Sequence, residues 1–250
     1  MITHELYERF VQRFNTEPLI VRSPGRINLL GEHTDYNDGF VLPAAIDKAV
    51  WVAVSKRNDQ QIVLHSVQFD ETFEVELHNL KPHKSWTDYV LGVVDQLMKG
   101  HYPVGGFNLI VTGDIPAGAG LSSSAAVECA TGFALNVLFG LSIEKRDLAL
   151  VAQHAEHEFA GTQCGIMDQF ASLFGKQNNV IRLDCRSLHY QYIPFDFPDV
   201  RIVLFDSGVK HALASSEYNT RRMECKGGVE LIKKKIPQCH EPSRCNPFDD

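Results

Sequence analysis

At 250 residues, 44% of them hydrophobic and 22% charged, the chain has material for one large core or two domains, which excludes a disordered or fibrous polypeptide. A formal net charge of −7 gives no general attraction to a phosphate backbone, so no nucleic-acid partner is expected, and Lys233, Lys234 and Lys235 read as the solvated end of a helix. No apolar run is long enough for a membrane span and the opening MITHELYERFVQRF has no signal-peptide core, so a cytoplasmic protein without a membrane partner is expected.

In chain order, hydrophobic periodicity predicts a helix over Glu5 to Phe14, then strands over Leu19 to Ser23, Val50 to Ser55, Gln61 to Ser66 and Thr72 to Leu77. A helix over Trp86 to Lys99 and a strand over Phe107 to Thr112 follow. The helix Ser123 to Phe139 is preceded by serines, followed by Gly140 and apolar on most faces, as a buried helix requires. The next, Ile143 to Phe159, starts after Ser142 as N-cap and stops at Gly161, with Leu148, Val151, Ala155 and Phe159 on one stripe, so the two helices form a packed hairpin. Strands over Val180 to Asp184 and Val200 to Asp206 and a helix over Glu217 to Lys235 complete an α+β pattern. The segment after Leu188 completes no further packed layer, which divides the chain at 1–188 and 189–250.

The six cysteines, Cys129, Cys164, Cys185, Cys225, Cys239 and Cys245, are dispersed without a C-x-x-C pair and read as reduced thiols rather than a zinc or disulfide framework. His154, His157 and Glu158 fall within about one helical turn, but Gly161 stands where a second ligand histidine would follow His157, so they read as structural.

The stretch PGRINLLGEHTDYNDGF, Pro24 to Phe40, gathers Arg26, Asn28, Glu32, His33, Asp35, Tyr36, Asn37 and Asp38 with few apolar residues between them. A plain turn needs Gly, Pro, Asn and Asp, but not an Arg and three acids beside a His. Ionised acceptors and a guanidinium fork hold hydroxyls well, because hydrogen bonds to charged groups contribute about 1.5–3 kcal/mol each. A sugar fits that chemistry.

A second stretch, DIPAGAGLSSSAAVE, Asp114 to Glu128, follows a predicted strand and opens the buried helix, a setting where backbone N–H groups and a positive dipole end meet an anion. The P-loop pattern fails for want of its Lys, and G-x-G-x-x-G fails because Ser123 occupies the third glycine position. On this stretch alone, a tight turn with a serine N-cap reads equally well.

A third stretch, GTQCGIMDQF, Gly161 to Phe170, completes an order: P-G-R-x-N-L-x-G-E-H-T-D-Y, then P-x-G-x-G-L-S-S-S-A, then C-G-I-M-D-Q. With SSEYNTRR, Ser215 to Arg222, this order resembles the galactokinases, members of the GHMP family of small-molecule kinases. The resemblance implies a GHMP N-terminal domain of the ribosomal-S5-like α+β type over 1–188, followed by the start of a ferredoxin-like lobe over 189–250. It implies transfer of the γ-phosphoryl group of ATP to the anomeric hydroxyl of α-D-galactose, giving galactose 1-phosphate and ADP, with galactose and MgATP as partners. By the same resemblance Arg26, Glu32, His33, Asp35, Gly165, Asp168 and Tyr218 surround the sugar, with Asp168 the catalytic base and Arg26 beside it. Asn28 and Asp38 read as structural. Pro116, Gly118, Ala119, Gly120, Leu121, Ser122, Ser123 and Ser124 cradle the triphosphate, and Ser124 with Glu128 reaches Mg²⁺.

The third glycine-rich motif of such kinases does not occur before Asp250, so the 250 residues alone are expected to bind nucleotide weakly and turn over little. An N-acetylgalactosamine kinase, or a non-catalytic galactose and ATP sensor, are the alternatives the same resemblance allows.

Overall fold

A computed structural model describes residues 2–116, 118–205 and 214–235. Strands β1 (Leu19–Asn28), β3 (Pro43–Lys56), β4 (Gln61–Ser66), β5 (Glu71–Glu76) and β6 (Phe107–Gly113) make a five-stranded sheet of order β1-β3-β6-β4-β5. Only the β4–β6 pair is parallel. A second sheet, β2-β7-β8, joins β2 (Phe40–Val41), β7 (Asn179–Asp184) and β8 (Tyr190–Pro194).

The interior strand β3 shows why both faces of the large sheet are covered. Its side chains alternate with period two: Val50, Val52 and Val54 enter the main core, while Ala49, Trp51 and Ala53 enter a smaller one. Helix α1 (Ile2–Phe14) covers the smaller core through Leu6 and Phe10. Helices α2 (Asp88–Lys99), α3 (Ser123–Phe139), α4 (Lys145–Ala155) and α5 (Met167–Phe174) contribute to the main one. Burial on both sides accounts for the unbroken apolar run of β3. Small residues on α3, among them Ala126, Ala130 and Ala134, are fully buried where this helix lies against β1 and β3.

The α+β reading and the order of the elements hold, with local corrections. Two short strands, β2 and β8, and the helix α5 are additional to the predicted set. Each is short and gains its identity from partners: α5 lies against β1, and β2 is only two residues long. The predicted helix over 143–159 is α4 followed by a π turn, Glu156–Ala160. Ser142 is not its N-cap; it adopts φ 57°, and the side chain of Asn136 instead pairs with both backbone groups of Ile143. α3 and α4 do pack together as a hairpin.

No strand is assigned over 200–205, and Asp206 lies outside the described residues. The division at 188 cuts a hairpin, because β8 pairs with β7 from Leu183↔Tyr190 to Asn179↔Pro194. Structurally, 190–194 therefore goes with what precedes it. Of the last segment, helix α6 (Ala214–Lys235) is described, and it touches the 3₁₀ turn Asp35–Asn37. Among the described residues no helix is long and apolar enough to cross a membrane. Cys129, Cys164 and Cys225 are free thiols; Cys239 and Cys245 lie outside the described residues.

Candidate active site

β1 delivers Arg26 to the site through an irregularity. Its register with β3 shifts between Pro24 and Arg26, and such a bulge re-aims the side chains beside it. Gly25 at the shift is required by close approach, since a Cβ there would stand 2.7 Å from the carbonyl oxygen of Leu121. Arg26 N donates to that same carbonyl at 3.2 Å, so strand and glycine-serine loop are joined backbone to backbone.

The Arg26 guanidinium grips Asp168 with two parallel bonds, Nε to Oδ1 at 2.7 Å and Nη2 to Oδ2 at 2.7 Å. Its Nη1 donates to Gly120 O at 2.8 Å. Asp168, in the first turn of α5, also accepts from Ser122 Oγ at 2.5 Å. Ser122 has a left-handed backbone, φ 58°, at the start of α3 and turns its hydroxyl to Asp168 rather than to the helix end. Gly118 and Gly120 have φ of 77° and 71° with nothing near their absent side chains, so they are needed for backbone conformation and leave open space on the loop. α5 is itself tied to β1 by Ser172 Oγ, which bonds Pro24 O at 2.7 Å and Ser23 Oγ at 2.6 Å.

Opposite this loop lies the polar stretch. Asp35 is only 8% exposed, and burial first, then the neighbouring Asp168 charge, push its carboxyl up to about 6. Gly165 lies so close that a Cβ there would stand 2.1 Å from Asp35 Oδ2. His33 Nδ1 pairs with Tyr36 OH at 2.6 Å, and the Tyr36 ring meets Tyr218 of α6 edge-on at 5.4 Å. Burial, followed by the Asp35 charge, raises the Tyr218 hydroxyl well above its ordinary range. Asn28 donates to Glu32 Oε1 at 2.9 Å and accepts from Leu42 N, the structural part expected of it.

These elements line a cavity of about 330 Å³ with two groups of residues, Arg26, Glu32, His33, Asp35 and Tyr218 as a sugar wall and Pro116 and Gly118 to Ser124 as a glycine-serine wall. The carboxylate of Asp168, also in the lining, joins the two groups through its bonds to Arg26 and Ser122. A wider groove, about 1210 Å³, continues past Arg26 and Gly120 towards Lys48, Lys176 and Phe205.

Gly165 and Glu128 do not line the cavity. Gly165 backs Asp35; Glu128 is fully buried one layer behind. The residue beside Ser124 is Glu156, whose Oε1 accepts from Ser124 Oγ at 3.3 Å and which does line the cavity. Its sequence context, QHAEHEF, showed only titratable residues on a helix; the π turn that starts at Glu156 forms inside that pattern, and such turns often mark functional sites. Gln169 Nε2 bridges Glu128 Oε2 at 3.1 Å and Glu156 Oε2 at 2.9 Å. Burial, then Asp168, push Glu156 up to about 7, and burial, then Glu156, raise Glu128. Glu128 Oε1 finds no partner.

A hydroxyl and a carboxylate with an unmatched acceptor behind them suit a hard cation that keeps waters and also takes phosphate oxygens, as Mg²⁺ does. Among the described residues no group of three or more His, Cys, Asp or Glu side chains could hold a metal by itself. His157 bonds Cys164 O at 2.8 Å and Glu158 pairs with Lys99, in keeping with their structural reading.

The family model described as the galactokinase galactose-binding signature matches residues 8–56, and that of the GHMP kinase N-terminal domain matches residues 88–176. A galactokinase of Chloroflexus aurantiacus is 45% identical over 231 residues, covering 91% of this chain and 59% of the relative. This chain belongs to the galactokinase family. A galactokinase of Thermotoga maritima is likewise 45% identical over 215 residues, covering 86% of this chain and 60% of its own length.

The crystal structure of Lactococcus lactis galactokinase, complexed with galactose, superposes with a TM-score of 0.86 at 33% identity, over 94% of this chain and 62% of that one. A Methanococcus jannaschii mevalonate kinase, at 18% identity, TM-score 0.61 and coverage of 71% and 56%, shares the GHMP fold. The chain spans about 60% of the length of the curated galactokinases it matches.

Proposed function

We propose that these residues form the sugar and phosphate site of an enzyme that transfers the γ-phosphoryl group of ATP to the anomeric hydroxyl of α-D-galactose, yielding galactose 1-phosphate and ADP. The observation that carries the reading is that Asp168 is bonded both to Arg26 and to Ser122 in a cavity lined by hydroxyl-binding groups and by the glycine-serine loop. Galactose is the substrate of choice because Arg26, Glu32, His33 and Asp35 of the first group lie within the stretch that matches the galactose-binding signature.

In this reading Asp168 accepts the proton of the attacking hydroxyl and Arg26 steadies the oxygen as it gains charge. A carboxylate is a weak base for a sugar hydroxyl, but phosphoryl transfer is largely dissociative, so positioning and charge neutralisation dominate. Glu32, His33, Asp35 and Tyr218 hold the remaining hydroxyls, with Gly165 packed behind Asp35. The backbone from Gly118 to Ser124 faces the triphosphate. Ser124 and Glu156 would hold Mg²⁺, with Glu128 supporting Glu156 from behind; bound there, the ion would neutralise phosphate charge. The dispersed free thiols favour a cytoplasmic setting. The domain division proposed with this reading follows β8, at Pro194.

Galactose-dependent release of ADP, measured on the whole protein beside N-acetylgalactosamine, tests the proposal. Turnover with galactose and little with the acetamido sugar is the expected result. ATP binding without release of ADP would replace the enzyme reading with a sensor.

A further inference from the structure

The segment 161–165 follows the π turn and leads to Asp168, and few of its backbone groups pair within it. Thr162 N reaches Glu156 O and Cys164 N reaches Thr162 O. Gly161 O, Gln163 N, Gln163 O and Cys164 O all pair instead with side chains. A loop whose backbone is satisfied by side chains keeps its shape only while those side chains stay in place.

Two of these side chains come from α6, one turn apart. Asn219 Nδ2 donates to Gly161 O at 2.9 Å while its Oδ1 accepts from Gln163 N at 2.9 Å, so one amide closes the turn as a backbone residue would. Arg222 Nη1 donates to Gln163 O and, at 3.3 Å, to Cys164 O. Only an amide carries a donor and an acceptor side by side on so short a stem. Tyr218, adjacent to Asn219, lines the cavity, and Gly165 at the far end of the loop packs against Asp35.

We propose that Asn219, supported by Arg222, is a positioning residue that latches the loop 161–165 to α6 and thereby sets the sugar wall of the cavity. The latch rests on the galactose reading for its effect on the sugar, but not for its effect on the loop. Because the held loop packs Gly165 directly against Asp35, and bears on the phosphate side through Thr162 and Cys164 against Glu156, its loss acts more on galactose than on ATP.

The test uses Asn219→Asp, which keeps the acceptor for Gln163 N but sets a carboxylate against Gly161 O, and Asn219→Ser, which reaches only one of the two groups. Both are made in the whole protein. Amide hydrogen exchange of peptides covering 161–168, without sugar, is expected to speed up about tenfold in Asn219→Asp and less in Asn219→Ser. The KM for galactose should rise about tenfold in Asn219→Asp while the KM for ATP rises by clearly less. Unchanged exchange, or equal rises in both KM values, would overturn the latch. If the unsubstituted protein does not use galactose, the functional reading fails by itself, and exchange still decides: faster in Asn219→Asp supports the latch, equal rates refute it.

Discussion

Asp168 and Asp35 are carboxylates in one cavity with different surroundings, and their substitutions should differ accordingly. Asp168 accepts three hydrogen bonds from Arg26 and Ser122, so Asp168→Asn keeps its shape but loses the capacity to take a proton. Turnover is expected to fall roughly 10²- to 10⁴-fold with galactose binding within a few-fold, and undiminished turnover would remove Asp168 from the chemistry. Asp35, raised to about 6 by burial and Asp168, is a good acceptor only when ionised. Galactose affinity should therefore weaken as pH falls through about 6, where an ordinary aspartate would hold to nearly 4. Calorimetric titration between pH 5 and 8 checks this; a flat profile would place Asp35 away from the sugar. Asp35→Ala should raise the KM for galactose far more than that for ATP, and equal rises would contradict its place on the sugar wall.

At the scale of elements, the site depends on β1, the glycine-serine loop and α5 meeting at Arg26. Gly25 and Gly120 separate two ways in which a glycine matters. Gly25→Ala sets a Cβ 2.7 Å from Leu121 O, so the loop must move off the strand, costing about 1–3 kcal/mol and displacing the Gly120 carbonyl from Arg26. Gly120→Ala meets nothing but must hold φ near 71°, a strain of about 1–2 kcal/mol confined to the loop. Thermal unfolding should register both substitutions, Gly25→Ala at least as much as Gly120→Ala, while the KM for ATP rises in both. A KM for ATP unchanged in Gly120→Ala would separate that loop from nucleotide binding.

Among the described residues two cores are divided by the five-stranded sheet, and the cavity, lined by Met167, borders the larger. Phe10 is fully buried in the smaller core, so Phe10→Ala should cost about 3–5 kcal/mol of stability while both KM values stay unchanged at a temperature where the protein is folded. A changed KM would reveal coupling across the sheet. Site burial also has a pH signature. Because Asp35 is raised when folded, the folded state holds that proton more tightly, and the stability so conferred is present below about pH 3.8 and lost as pH rises through 6. His65 and His157, lowered by burial, act oppositely below their ordinary range, so the comparison must be with Asp35→Asn, in which they are unchanged. The gain of that variant over the unsubstituted protein should grow by on the order of 1 kcal/mol between pH 5 and 7.5. A constant difference would mean that Asp35 titrates normally.

Sequence alone determined what depends on neighbours along the chain. Alternating and helical periods located β4 and α3 to the residue, because each buries a continuous face of its own. The three motifs and the resemblance they carry singled out Arg26, Asp35, Asp168 and the Gly118 to Ser124 loop, all of which meet at the cavity. Tertiary structure decided the rest. α5 and β8 are short and take their identity from β1 and β7, and Glu156 was indistinguishable from any helix-surface glutamate until its neighbours Ser124, Gln169 and Cys164 surrounded it. Glu128, which the resemblance placed at Mg²⁺ with Ser124, stands one turn further along α3, but sequence does not say which face of a helix is covered, and packing put it fully inside. Burial, long-range pairing and the charge felt at a carboxyl are sums over residues distant in sequence, and only the folded chain evaluates them.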